Sequence, residues 1–279
     1  MNAAAYTLDP VEALTAAEAR DLRRIYEGGF APHLRADFAE LTTGREDGEI
    51  ALALRHDGRP RGFALLRPLG GTGWMFLRYL VVDQQVRGQG LGGIMWDQLM
   101  DRLRADGYRL LVWDVEDPDA PGLDAAEVEI DRRRIGFYQR HGGVLLPVRG
   151  YGNPHGDDWT PMRLMAAPAD PAGPAPGSRE APAIVAAVYQ HRYRLDASHP
   201  RVTATEVTMV VEYELADSVA WIHLNRPHRL NAVVPELVAG LITAFERAGS
   251  DGARVVVLAG RGRAFCSGHD LKEQLPPET

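Results

Sequence analysis

The chain has 279 residues, of which 45% are hydrophobic and 25% charged, with 31 basic against 38 acidic side chains and a net charge of −7. Those proportions belong to folded globular domains and exclude wholesale disorder, and the acidic balance argues against a broad surface for nucleic acid. Cys266 is the single cysteine, so neither an internal disulfide nor a paired-cysteine metal site can form; no metal is expected, and a reducing, cytoplasmic setting fits. No apolar run reaches the roughly 18 residues that a spanning helix needs, and Met1 to Pro10 lacks the basic-then-apolar order of a secretory leader. No membrane partner is expected.

In chain order, Val11, Leu14, Ala17, Leu22 and Ile25 are spaced for an amphipathic helix over Pro10 to Tyr26. Phe38 to Thr42 ends a second helix. Glu49 to Arg55 and Gly62 to Arg67 read as strands around the turn His56-Asp57-Gly58. Phe76 to Val82 is an apolar strand broken only by Arg78. Leu91, Ile94, Met95, Leu99 and Leu103 form one helical stripe. Arg109 to Val115 is a strand, Asp131 to His141 a short helix stopped by Gly142-Gly143, and Val144 to Pro147 begins the last strand region. From Ala166 to Pro182 the sequence AAPADPAGPAPGSREAP can sustain neither helix nor ladder and reads as a linker. A helix over Ala183 to Tyr193 follows and is able to pack back on what precedes it. The expected organisation is a domain over 1–165, a linker with a short helix over 166–206, and a separate segment over 207–279.

The centre of the first domain runs from Val81-Val82 through Arg87-Gly88-Gln89-Gly90-Leu91-Gly92 into a helix. Glycines at this spacing let backbone approach a ligand closely. The unpaired N–H groups of the first helical turn, with the positive end of the helix dipole, suit a pyrophosphate, and Arg87 can add charge. The pattern is neither the P-loop of an NTPase nor the dinucleotide fingerprint. It resembles the GCN5-related N-acetyltransferase (GNAT) family, as does Phe137-Tyr138-Gln139-Arg140-His141-Gly142 further on. The resemblance covers Leu8 to Met165. It implies an α/β fold with a mixed central sheet flanked by helices, acetyl-CoA as cosubstrate, and an amine acceptor, small molecule or peptide. It further implies that the backbone of Leu80, Val81 and Val82 bonds the pantetheine, that the amides of Gly88 to Gly92 hold the pyrophosphate, and that Tyr138 protonates the leaving thiolate. A phenol of pKa about 10 beside a thiolate of about 8.5 is a competent donor; packing beside Phe137 is the plainer role. For the amine's proton, Glu116 and Asp114 fall on one strand face, and Glu116 is the expected acceptor, though both also read as solvated loop carboxylates. Asp131 stands where many family members carry an asparagine. His141 is able to sit near CoA, though surface capping of its helix is the plainer role.

After the linker, Val219 to Leu224 is a strand followed by Asn225-Arg226-Pro227, Leu230-Asn231-Ala232 leads into a helix over Pro235 to Ala248, and Arg254 to Leu258 is a second strand. Then comes Gly260-Arg261-Gly262-Arg263-Ala264-Phe265-Cys266-Ser267-Gly268-His269-Asp270-Leu271. These residues resemble the start of the enoyl-CoA hydratase/isomerase (crotonase) family, which polarises an acyl-CoA carbonyl with two backbone N–H groups. The resemblance implies that His269, after Gly268, carries the first of these, and that Arg229 meets CoA phosphates. Cys266 reads as a small buried filler. The family's second oxyanion glycine and acid/base glutamates lie beyond Thr279, so 207–279 is expected to be an incomplete β-α-β unit, whether from truncation, frameshift or a longer parent. Open apolar strands would leave it prone to self-association. The leading expectation is an N-acetyltransferase acting by direct attack. The alternatives are a non-catalytic acyl-CoA-binding module and the remnant of a hydratase fusion.

Overall fold

In the computed structural model, Thr15 and Glu18 fix where the first helix begins. The Thr15 hydroxyl accepts from the Glu18 amide at 3.2 Å and the Glu18 carboxylate accepts from the Thr15 amide at 3.0 Å, a reciprocal cap that satisfies two otherwise orphaned donors. Helix α1 therefore spans Ala16–Gly29 and not Pro10 to Tyr26, and the residues before it form strand β1, Tyr6–Pro10. The structure describes residues 6–12, 14–30, 35–42, 48–155 and 158–270; Leu271 of the second motif lies outside them. They divide into two compact units, 1–176 with 180–206, and 177–179 with 207–279.

The first unit continues with α2 (Phe38–Thr42), β2 (Ile50–His56), β3 (Arg59–Pro68), β4 (Trp74–Val82), α3 (Leu91–Ala105), β5 (Leu110–Glu116) and α4 (Ala125–Arg140). Then come β6 (Val144–Leu145), β7 (Val148–Arg149), β8 (Gly152–His155), β9 (Asp158–Pro168), α5 (Ala181–Ala187) and α6 (Pro200–Thr203). One mixed eight-stranded sheet runs in the order β1-β2-β3-β4-β5-β9-β6, with β8 on β9. β1 to β4 are successively antiparallel, β4 and β5 are parallel, and β9 returns antiparallel to β5. Strand alternation sends Leu52, Leu54, Ala64 and Leu66 to one face, against Met95, Leu99 and Leu103 of α3. It sends Ala51, Ala53, Phe63 and Leu65 to the other, against Leu22, Ile25 and Tyr26 of α1. Both faces of the sheet are thus covered, as a parallel pair at its centre requires.

Most of the segment expected to be a linker is part of this unit, residues 177–179 alone falling with the second. Ala166 to Pro168 complete β9, so a boundary at 165 falls inside a strand. Ala181, Ile184, Val188 and Tyr189 are buried, and α5 passes into a π-helical turn over Val188–Arg192. The Pro/Ala/Gly composition correctly marks the irregular stretch before α5. It does not mark the buried helix, whose apolar side chains are what tie 181–193 to the sheet.

The second unit holds β11 (Val211–Ala216), β12 (Val219–Leu224), α7 (Pro235–Ser250) and β13 (Val255–Gly260); β10 (Glu206–Val207) falls on the division between the units. β11 and β12 form a hairpin whose turn residues, Asp217 and Ser218, both take positive φ, the twist that suits a two-residue loop. β12 and β13 are parallel through α7. Ile222, Leu224, Val234, Leu237 and Ala244 close a core on one sheet face only.

Candidate active site

The parallel pairing of β4 with β5 lasts only from Trp74–Leu110 to Phe76–Val112. Beyond it β4 stays bonded to β3 and β5 to β9, so the sheet opens between them. A register shift sharpens the turn: Leu65 faces Tyr79 while Leu66 faces Leu77, leaving Arg78 as an extra residue, and a bulge of this kind bends its strand. The backbone of Leu80, Val81 and Val82 therefore runs along an edge unpaired on the β5 side. A cavity of about 150 Å³ sits in the opening, lined by Leu80, Trp113, Asp114, Glu116, Arg134 and Tyr138 among others.

At the outer end of β4, Asp83 caps a short 3-10 turn over Gln84–Val86. Arg87, Gly88, Gln89 and Gly90 follow on the surface, and Leu91 turns into α3. Gly88 and Gly90 have φ of 79° and 75°, a backbone that only glycine adopts without strain. The first bond of the helix runs from the Ile94 amide to the Gly90 carbonyl at 3.2 Å. Among the described residues the amides from Gly88 to Gly93 have no backbone acceptor, and Gly90 offers no side-chain cap. This cluster of open donors at a helix N-terminus fits the pyrophosphate of a coenzyme A. Gly92 brings the turn within 3.3 Å of the Phe137 ring, counted from where a Cβ would stand.

Tyr138 of α4 is both packed and exposed to the cavity. Its ring lies 4.8 Å from that of Trp113 and 5.2 Å from that of Trp96, while its side chain lines the opening. Burial pushes its phenol up to about 12, with Arg134 pulling down and Asp114 pushing up. Across neutral pH it therefore carries its proton.

Glu116 and Asp114 do face the same cavity, as strand alternation requires, but their surroundings differ. Glu116 is ion-paired with Arg134, which also lies 3.7 Å from Asp131; a carboxylate held by a guanidinium is a weak proton acceptor. Asp114 accepts from the Tyr193 hydroxyl, and from the Tyr151 hydroxyl at 3.1 Å. Burial pushes its carboxyl above the usual range, against the hydrogen bond from Tyr193 and the charge of Arg192. Tyr151, Arg192 and Tyr193 were missed from the sequence because no local spacing marks them; only the fold brings them to Asp114. His141 caps α4, and its carbonyl accepts from the Trp96 indole at 3.2 Å.

In the second unit Asn231 is fully buried and holds two loops together. Its amide donates to the carbonyls of Arg261 and Ala264 at 3.0 and 2.7 Å, and its oxygen accepts from the Arg226 amide at 2.7 Å. Arg226 reaches the Ala232 carbonyl at 2.6 Å and Asp270 at 3.2 Å. Val233 pairs with the strand-like stretch at Gly268 to Asp270, donating to the Gly268 carbonyl and accepting from the Asp270 amide. That alternation leaves the His269 amide without a backbone partner among the described residues. Arg229 is exposed. Cys266 is half-buried, and its Sγ accepts from the Gly268 amide at 3.4 Å. Among the described residues no three His, Cys, Asp or Glu side chains converge on a metal position, and no helix is long and apolar enough to cross a membrane.

Comparison with known proteins follows the same division. The model of the Acetyltransferase (GNAT) family matches residues 16–142, and that of the Enoyl-CoA hydratase/isomerase family matches residues 214–278. A solved GNAT-family acetyltransferase from Bacteroides thetaiotaomicron covers 68% of this chain and 99% of its own, with 21% identity and a TM-score of 0.53, a likeness of fold. The protein named "Probable enoyl-CoA hydratase echA6" of Mycobacterium tuberculosis is 48% identical over 56 residues, 20% of this chain and 23% of its own length. The (E)-benzylidenesuccinyl-CoA hydratase of Thauera aromatica is 41% identical over 71 residues, 25% of this chain and 28% of its own. The chain thus spans about a quarter of the curated relatives it matches.

Proposed function

We propose that the first unit transfers an acetyl group from acetyl-CoA to a primary amine by direct attack. One observation carries the reading: a protonated phenol and a buried carboxylate face one cavity where the sheet opens, below a glycine loop with free amides. Asp114, in place of Glu116, takes the proton from the acceptor ammonium. The free amine attacks the thioester carbonyl, the carbon–sulfur bond breaks, and the Tyr138 hydroxyl delivers its proton to the departing sulfur; the second proton lost from the attacking nitrogen, as it becomes the amide, returns to the Tyr138 phenolate, and Asp114 releases its proton to solvent as the products leave. Burial that raises the phenol also raises a thiolate in the same cavity, which keeps the pair matched for transfer. The amides of Gly88 to Gly92 and the charge of Arg87 hold the pyrophosphate, and the unpaired edge of Leu80 to Val82 bonds the pantetheine. The acceptor is a small molecule or a peptide amine.

The test is thiol release from acetyl-CoA. Tyr138→Phe is expected to lower kcat by about 10²-fold with little change in KM, the signature of a group used in the transition state. Equal rates in both proteins, where chemistry limits turnover, would return Tyr138 to packing alone.

A further inference from the structure

Three arginines line the cavity: Arg78, Arg134 and Arg192. Arg78 is held by Glu49 at 2.6 Å and Arg134 by Glu116. Arg192 has no acidic side chain within ion-pair distance among the described residues. It is nevertheless fixed in place. Its guanidinium lies 4.8 Å from the centroid of the Tyr193 ring and 5.9 Å from that of Phe76, its Nε is buried with no partner, and its carbonyl accepts from Arg67 at 3.2 Å. The π-helical turn over Val188–Arg192 inserts an extra residue at this point, the kind of irregularity that re-aims side chains at functional sites. A guanidinium stacked on aromatic rings loses little freedom when it binds a planar anion.

The anion is not the pyrophosphate. Arg192 lies over Phe76, and at about 3.3 Å per residue the stretch from Phe76 to Val82 separates it from the glycine loop by roughly 20 Å. Arg192 is therefore on the acceptor side. Tyr193 links it to Asp114, since the same side chain donates to that carboxylate and carries the guanidinium on its ring. Deepening the acetyltransferase reading, on which this rests, we infer that the acceptor is a short amino carboxylate, its ammonium on Asp114 and its carboxylate on Arg192.

The experiment measures thiol release by the full chain with the standard L-amino acids and β-alanine, each against its carboxamide. The carboxamide has the less basic amine, so a preference for the acid cannot come from a larger free-base fraction. At least one acid is expected to exceed its amide in kcat/KM by on the order of ten- to a hundredfold, the worth of a charge-assisted hydrogen bond. Arg192→Gln should bring that ratio toward one, and Arg192→Lys should restore part of it, with thermal melts confirming that both variants fold. Amides used as well as acids would overturn the inference. So would an Arg192→Gln variant that slows acid and amide equally, because Arg192 would then be only a counter-charge for Asp114. Transfer to putrescine or kanamycin but to no amino acid would overturn the inference and leave the acetyltransferase reading standing. No transfer to any amine, by a chain that binds acetyl-CoA in calorimetry, would overturn both.

Discussion

Asp83 shows how much one side chain sets at the mouth of the site. It is fully buried, accepts from both terminal nitrogens of Arg24 at 2.9 and 2.8 Å, lies 3.9 Å from Arg61, and caps Gln85 at 3.1 Å. The hydrogen bonds from Arg24 hold its carboxyl below the usual carboxylate range. Its contribution to stability is thus fully present above the unfolded value of about 3.9 and is lost as pH falls through the lower folded value. Asp83→Asn keeps the shape and removes the charge. Because Arg24 remains partly solvated, the cost is expected to be about 2 kcal/mol in urea unfolding, with a higher KM for acetyl-CoA because the turn feeding the glycine loop loosens. Asp114 has the opposite sign. Its folded value is raised by burial, so whatever stability its titration contributes is present below about 3.9 and is lost as pH rises through the folded value. Activity runs the other way, since only the ionised carboxylate accepts a proton. kcat/KM should rise with pH through the elevated Asp114 value, and Asp114→Asn should lower the rate and remove that limb. A limb that survives in the variant belongs to another group. Gly90, by contrast, is a poor place to probe the anion site. At a φ of 75° any β-carbon adds backbone strain, whereas Arg87→Glu alters charge on an exposed side chain and is the cleaner substitution.

At the scale of elements, α5 and its π turn decide where the domain ends. Ile184 and Val188 are wholly buried and Tyr189 nearly so, and the turn supplies Arg192 and Tyr193 to the cavity wall. A fragment ending at 165 cuts β9 before its last residues and discards this helix, so it is expected to be unfolded. A fragment ending at 206 should fold and bind acetyl-CoA with the affinity of the full chain. Ile184→Ala should cost about 2–4 kcal/mol, the range for emptying a packed aliphatic site; calorimetry and urea titration read both effects, and a well-folded 1–165 fragment would refute the assignment of α5 to the core. The sequence was legible wherever the determinant was local. The glycine turn, the α3 stripe and the strand ending in Val81-Val82 all stand where periodicity and spacing put them. Thr15-Ala16-Ala17-Glu18 is a capping signature that would have placed the start of α1 and freed Tyr6–Pro10 for β1. What was not legible depends on distant partners. Alternation puts Asp114 and Glu116 on one face, but only the fold brings Arg134 to the one and two tyrosines to the other. The extra residue at Arg78 likewise depends on the register of β3.

For the whole molecule, the second unit raises a question of burial. α7 is apolar on two sides. Leu237, Ala244 and Ala248 face the core, while Val238, Ile242 and Phe245 form a second stripe about half exposed to solvent. Trp221, Val255 and Leu258 are also open on the sheet. A surface helix normally carries one apolar stripe, turned to the core, and a second, exposed stripe of this kind promotes association. Every side chain assigned to acetyl transfer belongs to the first unit, so the two properties should separate. Removing residues 207–279 is expected to leave kcat/KM for acetyl transfer unchanged and to raise solubility. Within the full chain, Ile242→Glu with Phe245→Glu should reduce self-association in sedimentation velocity without lowering the melting temperature, because both side chains point away from the core. A full chain that stays monomeric at high concentration would show that the stripe needs no cover. A truncated chain that loses transferase activity would show that the crotonase-like segment contributes to the first unit's chemistry after all.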